Sequence, residues 1–243
     1  YYYANYYYYT HLSFNHNIVS TSTASSTSWY GVYMYYTNPQ ITCNKILSMD
    51  RILSSGYGMY SYYANVYMSR GDVHVVNNEV HLKSSSTNTG MYFYYANNLY
   101  ILHNSVYGQA TGGARGIYVG QSTSYSNMVI RNNNIVITGT STTGYPMYIG
   151  STSYCTSPYM TIDYNNYYHN TNIGYAGGAK TTLSTWRAVT QQDVNSVKVN
   201  PSFVDSSINL ALNDATGLLC YREGKVPYDI EGVKREYVTP MGA

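Results

Sequence analysis

Met128-Val129-Ile130-Arg131-Asn132-Asn133-Asn134-Ile135-Val136-Ile137 is the stretch whose reading decides the fold. Met128 and Ile130 alternate with polar or outward positions before the Asn pair, and Ile135 and Ile137 do so after it. A period of two sends successive side chains to opposite faces and marks strands. The residues are β-favouring as well. The segment therefore reads as two short strands with a turn at the asparagines. Val73, Val75 and Val80, Leu82 repeat the pattern, as do Ile101 with Val106 and Met160 with Ile162. No stretch before residue 180 has a helical period.

The turn recurs as Asn, any residue, apolar residue: Asn44-Lys45-Ile46, Asn78-Glu79-Val80, Asn104-Ser105-Val106, Asn133-Asn134-Ile135 and Asn165-Asn166-Tyr167. Subtracting positions gives steps of 34, 26, 29 and 32. His16-Asn17-Ile18, with His in the Asn slot, adds a step of 28. A second signal, Gly-apolar-Tyr, recurs in the same order at Gly31-Val32-Tyr33, Gly58-Met59-Tyr60, Gly90-Met91-Tyr92 and Gly116-Ile117-Tyr118. Gly144-Tyr145-Pro146-Met147-Tyr148 is a looser copy. A third, Tyr-Tyr-Ala-Asn, occurs at 2–5, 62–65 and 94–97, with Tyr-Tyr-Thr-Asn at 35–38. The first copy lacks the preceding Gly signal, so the chain is expected to begin inside a coil. Variable insertions fall between the signals, in the runs 21–28, 84–88 and 120–127. Variable loops on a fixed strand frame are typical of solenoids. The units are shorter than the ~40 to 50 residues of propeller blades. The expected fold is all-β: a right-handed parallel β-helix whose coils carry two or three short strands, its hand set by the crossover rule. The Asn row has two expected roles. It supplies a residue that tolerates φ > 0 at the turn, and its stacked amides bond along the axis as in cross-β ladders. A ligand-binding Asn row is the functional alternative.

The 243 residues suffice for one repeat array and its cap. Only 10% are charged, against ~25% in an ordinary domain. The net charge of +2 offers no field to recruit nucleic acid. Tyrosine is the outlier, 34 residues against 3 Phe and 2 Trp, and gives an amphipathic surface soluble with little formal charge. Cys43, Cys155 and Cys220 lack zinc spacing and read as structural thiols. One disulfide with a spare thiol stays open. No run of about 18 apolar residues spans a membrane, and Tyr1-Tyr2-Tyr3-Ala4-Asn5 has no signal-peptide character.

Towards the C-terminus, Asp163-Tyr164-Asn165-Asn166-Tyr167-Tyr168, Leu183-Ser184-Thr185-Trp186-Arg187, Gln192-Asp193-Val194-Asn195-Ser196, Asn200-Pro201-Ser202-Phe203-Val204-Asp205, Asp229-Ile230-Glu231-Gly232 and Met241-Gly242-Ala243 follow one another. With the repeats, these elements resemble the right-handed parallel β-helix proteins of the pectate-lyase-like superfamily. The nearest likeness is to large secreted and cell-surface proteins of Gram-negative bacteria. Met241 departs from the usual Ile. The resemblance covers essentially the whole chain and implies coils over 1–170, the first incomplete, and last strands with a capping segment over 171–243. It also implies an extracellular or bacterial cell-surface location. A cap makes physical sense, because a bare stack exposes strand edges and an apolar end. Thr182 is a plausible N-cap of a short helix with Leu183, Trp186 and Val189 on one face. Trp186 and Phe203 are the expected cap anchors, with sugar stacking by Trp186 the alternative.

Enzymes of the superfamily are mainly polysaccharide lyases, which cluster acids around calcium, and glycoside hydrolases, which need a close carboxylate pair. Only Asp50, Asp72, Glu79 and Asp163 precede residue 170, at unrelated coil positions. Arg70, Arg115 and Arg131 are scattered too. Asp229 and Glu231 read as turn and capping residues rather than a calcium loop. His11, His16, His74, His81, His103 and His169 have no metal-ligand spacing. No catalytic residue, metal or cofactor is therefore expected. The tyrosine blocks 1–9, 33–36, 57–63 and 92–95 recur at one phase of the coil. Adjacent residues of a strand face opposite ways, so half of these rings are expected inside or in turns and half on an exposed ladder. Tyr35, Tyr62 and Tyr94 are the candidate ligand-binding residues. The bland reading is that stacked Tyr merely stabilise neighbouring coils, by ~0.2–1 kcal/mol per pair. The expected function is a non-catalytic extracellular adhesion or structural module. Its expected partners are a glycan or another surface protein and further coils of the same parent chain, with no nucleic acid and no membrane insertion. The alternative is a carbohydrate-active enzyme, a polysaccharide lyase or glycoside hydrolase, whose site is not recognisable in this chain.

Overall fold

The computed structural model describes residues 10–21, 28–48, 53–64, 71–120 and 127–243. The block 1–9 with its mid-coil start, Asp50, Arg70 and the interiors of the runs 21–28 and 120–127 lie outside them. The chain forms a parallel β-solenoid of about five turns. Face one stacks β1 (Thr10–Asn15), β4 (Thr37–Thr42), β7 (Val73–Val76), β9 (Leu99–Leu102), β12 (Met128–Arg131) and β15 (Met160–Asp163). Face two stacks β2 (Ile18–Ser20), β5 (Lys45–Leu47), β8 (Glu79–Tyr94), β10 (Ser105–Ala110), β13 (Asn134–Thr138) and β16 (Asn166–Tyr168). Face three stacks β3 (Ser28–Tyr35), β6 (Leu53–Tyr62), the second half of β8, β11 (Gly113–Gly120), β14 (Tyr145–Ile149) and β17 (Gly174–Ala176). The run 84–88 is thus not a loop insertion but the middle of β8, which carries one coil from face two to face three without a break.

Pairing is in register, so like residues stack. Ile46, Val80, Val106 and Ile135 form one interior row, and Met59, Met91, Ile117 and Met147 another. All eight have no exposed surface. Burial of such side chains contributes roughly 1.5–3 kcal/mol each.

The corner between faces one and two settles the Asn question. The residues with φ > 0 there are His16, Cys43, Asn77, His103, Asn132 and Tyr164, at 52° to 61°. Each precedes the ladder Asn, which itself needs no left-handed backbone. His16 therefore belongs to the corner row, and Asn17 occupies the Asn slot: Ile18 pairs with Lys45, and Asn17 Nδ2 donates to Asn44 Oδ1 at 3.1 Å. Asn17, Asn44, Asn78, Asn104, Asn133 and Asn165 form one chain of amides. In each link the backbone N–H and the Nδ2 of one Asn donate to Oδ1 of the next, at 2.9–3.1 Å. Nδ2 also donates to carbonyls of its own and the preceding coil, as Asn104 does to Leu102 O and Val75 O.

Glycine in the Gly-apolar-Tyr signal is a matter of space rather than φ. A Cβ at Gly90 would lie 2.4 Å from Val106 Cγ1 and 2.7 Å from the carbonyl oxygen of Gly116. Gly31, Gly58 and Gly116 meet the equivalent interior row and the next carbonyl just as closely. Gly90→Ala should cost about 1–3 kcal/mol by overpacking, read as a lowered urea midpoint. An unchanged midpoint would refute the steric account.

Beyond β17, β18 (Ala179–Lys180) turns back antiparallel. The helix α1 (Leu183–Thr190) follows, with Thr182 as N-cap in a reciprocal capping pair with Thr185. Trp186 is fully buried against the last coil, and Leu183 and Val189 pack at its side. The tail then folds back over face two and its corner with face one rather than stopping at the end. It forms two antiparallel ribbons, β19 (Ser202–Asp205) with β20 (Asn209–Asp214) and β21 (Leu219–Tyr221) with β22 (Val238–Pro240). Asn166, Tyr107 and His81 touch Val199, Phe203 and Ser206 on the way down the stack; the chain returns to Asn132 at Tyr221 and runs down again to Asn77 at Tyr228 and Lys45 at Glu231. Phe203 is thus an anchor on the flank, edge-on to Tyr107 at 6.3 Å.

His103 lies under this tail with no exposed surface. Asn132 Nδ2 donates to its Nε2 at 2.9 Å, so the ring is neutral with its proton on Nδ1. Burial, then the Arg235 charge, hold its pKa down at about 3. The folded chain thus refuses a proton that the unfolded chain accepts near 6.5. The stability this gives is present above pH 6.5 and lost on acidification toward pH 3, about 2 kcal/mol of it by pH 5. His103→Asn keeps the corner backbone, as Asn77 and Asn132 do. It should remove this acid-induced loss, checked by urea midpoints at pH 7 and pH 5 for both proteins.

Candidate binding face

The outer side of face three is a lattice of tyrosines. Tyr33, Tyr60, Tyr92, Tyr118, Tyr148 and Tyr175 stack along the axis at 5.1, 4.6, 4.5, 4.7 and 4.4 Å between ring centroids. Their planes lie within 18° of parallel. Register dictates this row, since each Tyr follows a position of one interior row, filled by Val32, Met59, Met91, Ile117 and Met147 and last by Gly174, and so points outward. Tyr30 and Tyr57 stack on one side of it, edge-on to its rungs.

Tyr35, Tyr62 and Tyr94 form a shorter row on the other side, at 5.8 and 5.0 Å. It ends at Gly120, where a Cβ would lie 2.4 Å from the Tyr94 ring. The second Tyr of each pair does not turn inside. Tyr36, Tyr63 and Tyr95 sit at a left-handed corner with φ of 51°, 61° and 56°. Both rings of each pair stay outside, and these three stack at 4.5 and 4.8 Å. Of the two places expected for these rings, inside or in a turn, they take the turn. Among the described tyrosines, Tyr167 is fully buried in the core, where Phe93 and Trp186 also lie. The last rung, Tyr175, carries no Gly-apolar-Tyr signal, because Gly174 stands in the apolar slot opposite Met147, with Trp186 against it.

Burial among neighbouring rings and their mutual repulsion push the Tyr60 and Tyr62 phenols up to about 12, and Tyr92 also moves up. The lattice is neutral, with hydroxyls as donors and acceptors. Arg115 enters it, its guanidinium 4.8 Å from the Tyr148 ring centroid and 5.5 Å from that of Tyr118.

The other predicted residues lie elsewhere. Asn44, Asn78, Asn104, Asn133 and Asn165 have no exposed surface, so the ladder has no face toward a ligand. Trp186 is buried against Tyr167 and Gly174, out of reach of a sugar. Two of the acids hold the tail, Asp72 pairing with Lys225 and Asp163 accepting from Asn195, while Glu79 lies beside Lys45 and His81 on face two. Asp229 closes a turn by accepting from the N–H groups of Glu231 and Val233. Among the described residues no three His, Cys, Asp or Glu side chains group as metal ligands, and no helix is long and apolar enough to cross a membrane. Cys43, Cys155 and Cys220 are free thiols. No protein-family model, curated protein or solved structure matches this chain.

Proposed function

We propose that the chain is a non-catalytic extracellular adhesion or structural module that binds glycan through its tyrosine face. The observation that carries this reading is the lattice itself. Parallel rows of neutral, partly exposed rings run along the solenoid axis with hydroxyls beside them. Ring faces offer apolar contact to the faces of sugars, while the hydroxyls bond to sugar hydroxyls. The long row would follow an extended polymer, and Tyr35, Tyr62 and Tyr94 would widen the contact. The placement among large secreted and cell-surface β-helix proteins belongs to the same proposal, supported by the order of the C-terminal elements.

A glycan array probed with the purified chain, and with Tyr60→Ser/Tyr92→Ser/Tyr118→Ser, tests it. Binding to extended glycans should be lost in the triple variant, with circular dichroism confirming its sheet. Binding that survives those changes, or no binding to any glycan, would overturn the reading.

A further inference from the structure

The geometry points to the tyrosine row as a site of oxidative cross-linking, in which neighbouring coils become joined by dityrosine bonds. This is independent of glycan binding. The rungs Tyr33, Tyr60, Tyr92, Tyr118, Tyr148 and Tyr175 are near-parallel rings in contact, each on a different coil. Strand register holds like atoms of successive rings side by side. Coupling of two phenoxyl radicals normally waits on a diffusive encounter, whereas here the partner is already in place, and such positioning converts a bimolecular step into a unimolecular one.

The oxidant is of the haem peroxidase class, consuming hydrogen peroxide. Each of two tyrosines gives up one electron and its phenolic proton. The two radicals join through ring carbons ortho to the oxygen, forming one C–C bond. The two hydrogens on those carbons shift to the oxygens and restore both phenols. The protein loses two hydrogens in all, and one peroxide is reduced to two waters. Phenols are protonated at neutral pH in any case, so electron and proton leave together, and the neighbouring hydroxyls in the row are at hand to take the proton.

The consequence is mechanical. A bond between Tyr60 and Tyr92 closes a loop of 92 − 60 = 32 residues, as a disulfide would, and restrains the unfolded chain likewise. The three cysteines supply no such cross-link, since all are free and Cys155 and Cys220 are buried. Phenols take that place on the surface.

The test treats the full chain with horseradish-type peroxidase and hydrogen peroxide and maps the products by mass spectrometry. Expected are monomers that have lost two hydrogens per bond, with cross-linked peptides pairing neighbouring rungs, and a raised thermal midpoint. Tyr228 is an internal control, exposed and without a ring neighbour among the described residues. Tyr60→Phe/Tyr118→Phe/Tyr175→Phe keeps every ring but leaves no two adjacent phenols in the row. It should fold as before and lose every cross-link within the long row, while any that form in the flanking rows, such as Tyr36 with Tyr63 and Tyr62 with Tyr94, persist. Cross-links found mainly between molecules, Tyr228 reacting as readily as the rungs, absence of dityrosine, or wild-type cross-links that never pair neighbouring rungs of the long row would each overturn the proposal.

Discussion

Asn104→Asp should be among the most damaging single-atom changes in this chain, costing more than about 5 kcal/mol, of the order of the whole stability of many domains. Asn104 is fully buried at the middle of the ladder. Its Nδ2 donates to Asn133 Oδ1, Val75 O and Leu102 O at 2.8–3.1 Å. A carboxylate there would set an anion against three acceptors with no cation to answer it. Asn104→Ala is the milder change. It leaves the buried N–H of Asn78 without its acceptor and opens a small void, for about 3–5 kcal/mol. The order Asp worse than Ala is the diagnostic, because simple loss of packing predicts the reverse. Acid should narrow the gap, since a protonated Asp regains one donor. Urea midpoints of both variants at pH 7 and pH 4 check this, and an Asp variant as stable as wild type at pH 7 would sink it.

The ladder shows what a sequence of this kind discloses. Its five asparagines were legible because a solenoid writes each interior row as a recurrence, and recurrence survives variable loops. The one-residue slip at His16 and Asn17 arose because two adjacent rows share a corner, and both tolerate Asn. Only pairing distinguishes the row with left-handed backbone from the row of stacked amides. α1 was legible from Thr182 and the spacing of Leu183, Trp186 and Val189. The path of the tail was not, because its links to Lys45, Asn77 and His81 join residues more than a hundred positions apart without periodicity. The tyrosine face was half legible. Composition and phase marked it, but strand alternation left half of the rings either inside or in turns, and only the left-handed backbone at Tyr36, Tyr63 and Tyr95 decides for the turn.

Trp186→Ala should cost about 4–6 kcal/mol, because Trp186 both covers the last coil and helps to end the ladder. The amide chain has a direction. Every Asn gives its backbone N–H to the next coil, so the C-terminal end must finish on acceptors. Asn165 N–H accordingly donates to Ser196 Oγ at 2.7 Å, and Ser196 Oγ bonds in turn to the Asp193 carboxylate. Tyr167 OH and Trp186 Nε1 donate to the same carboxylate at 2.8 and 2.6 Å. Truncating Trp186 removes a buried indole, worth about 3–5 kcal/mol, and takes one donor from a buried anion, worth about 1.5–3 more if nothing replaces it. Water entering the void gives back part of this. Trp186→Phe separates the two effects by keeping a ring and losing the donor. Burial outweighs the three donors and raises Asp193 to about 6. Its folded value thus stands above its unfolded value of about 3.8, so the folded chain holds the proton more tightly. The stabilisation is present below about pH 3.8 and is lost as pH rises through 6, the opposite sense to His103. Wild type measured against Asp193→Asn should therefore gain about 2–3 kcal/mol between pH 7 and pH 4. A flat difference would place the Asp193 carboxylate in water rather than at the sealed end of the ladder.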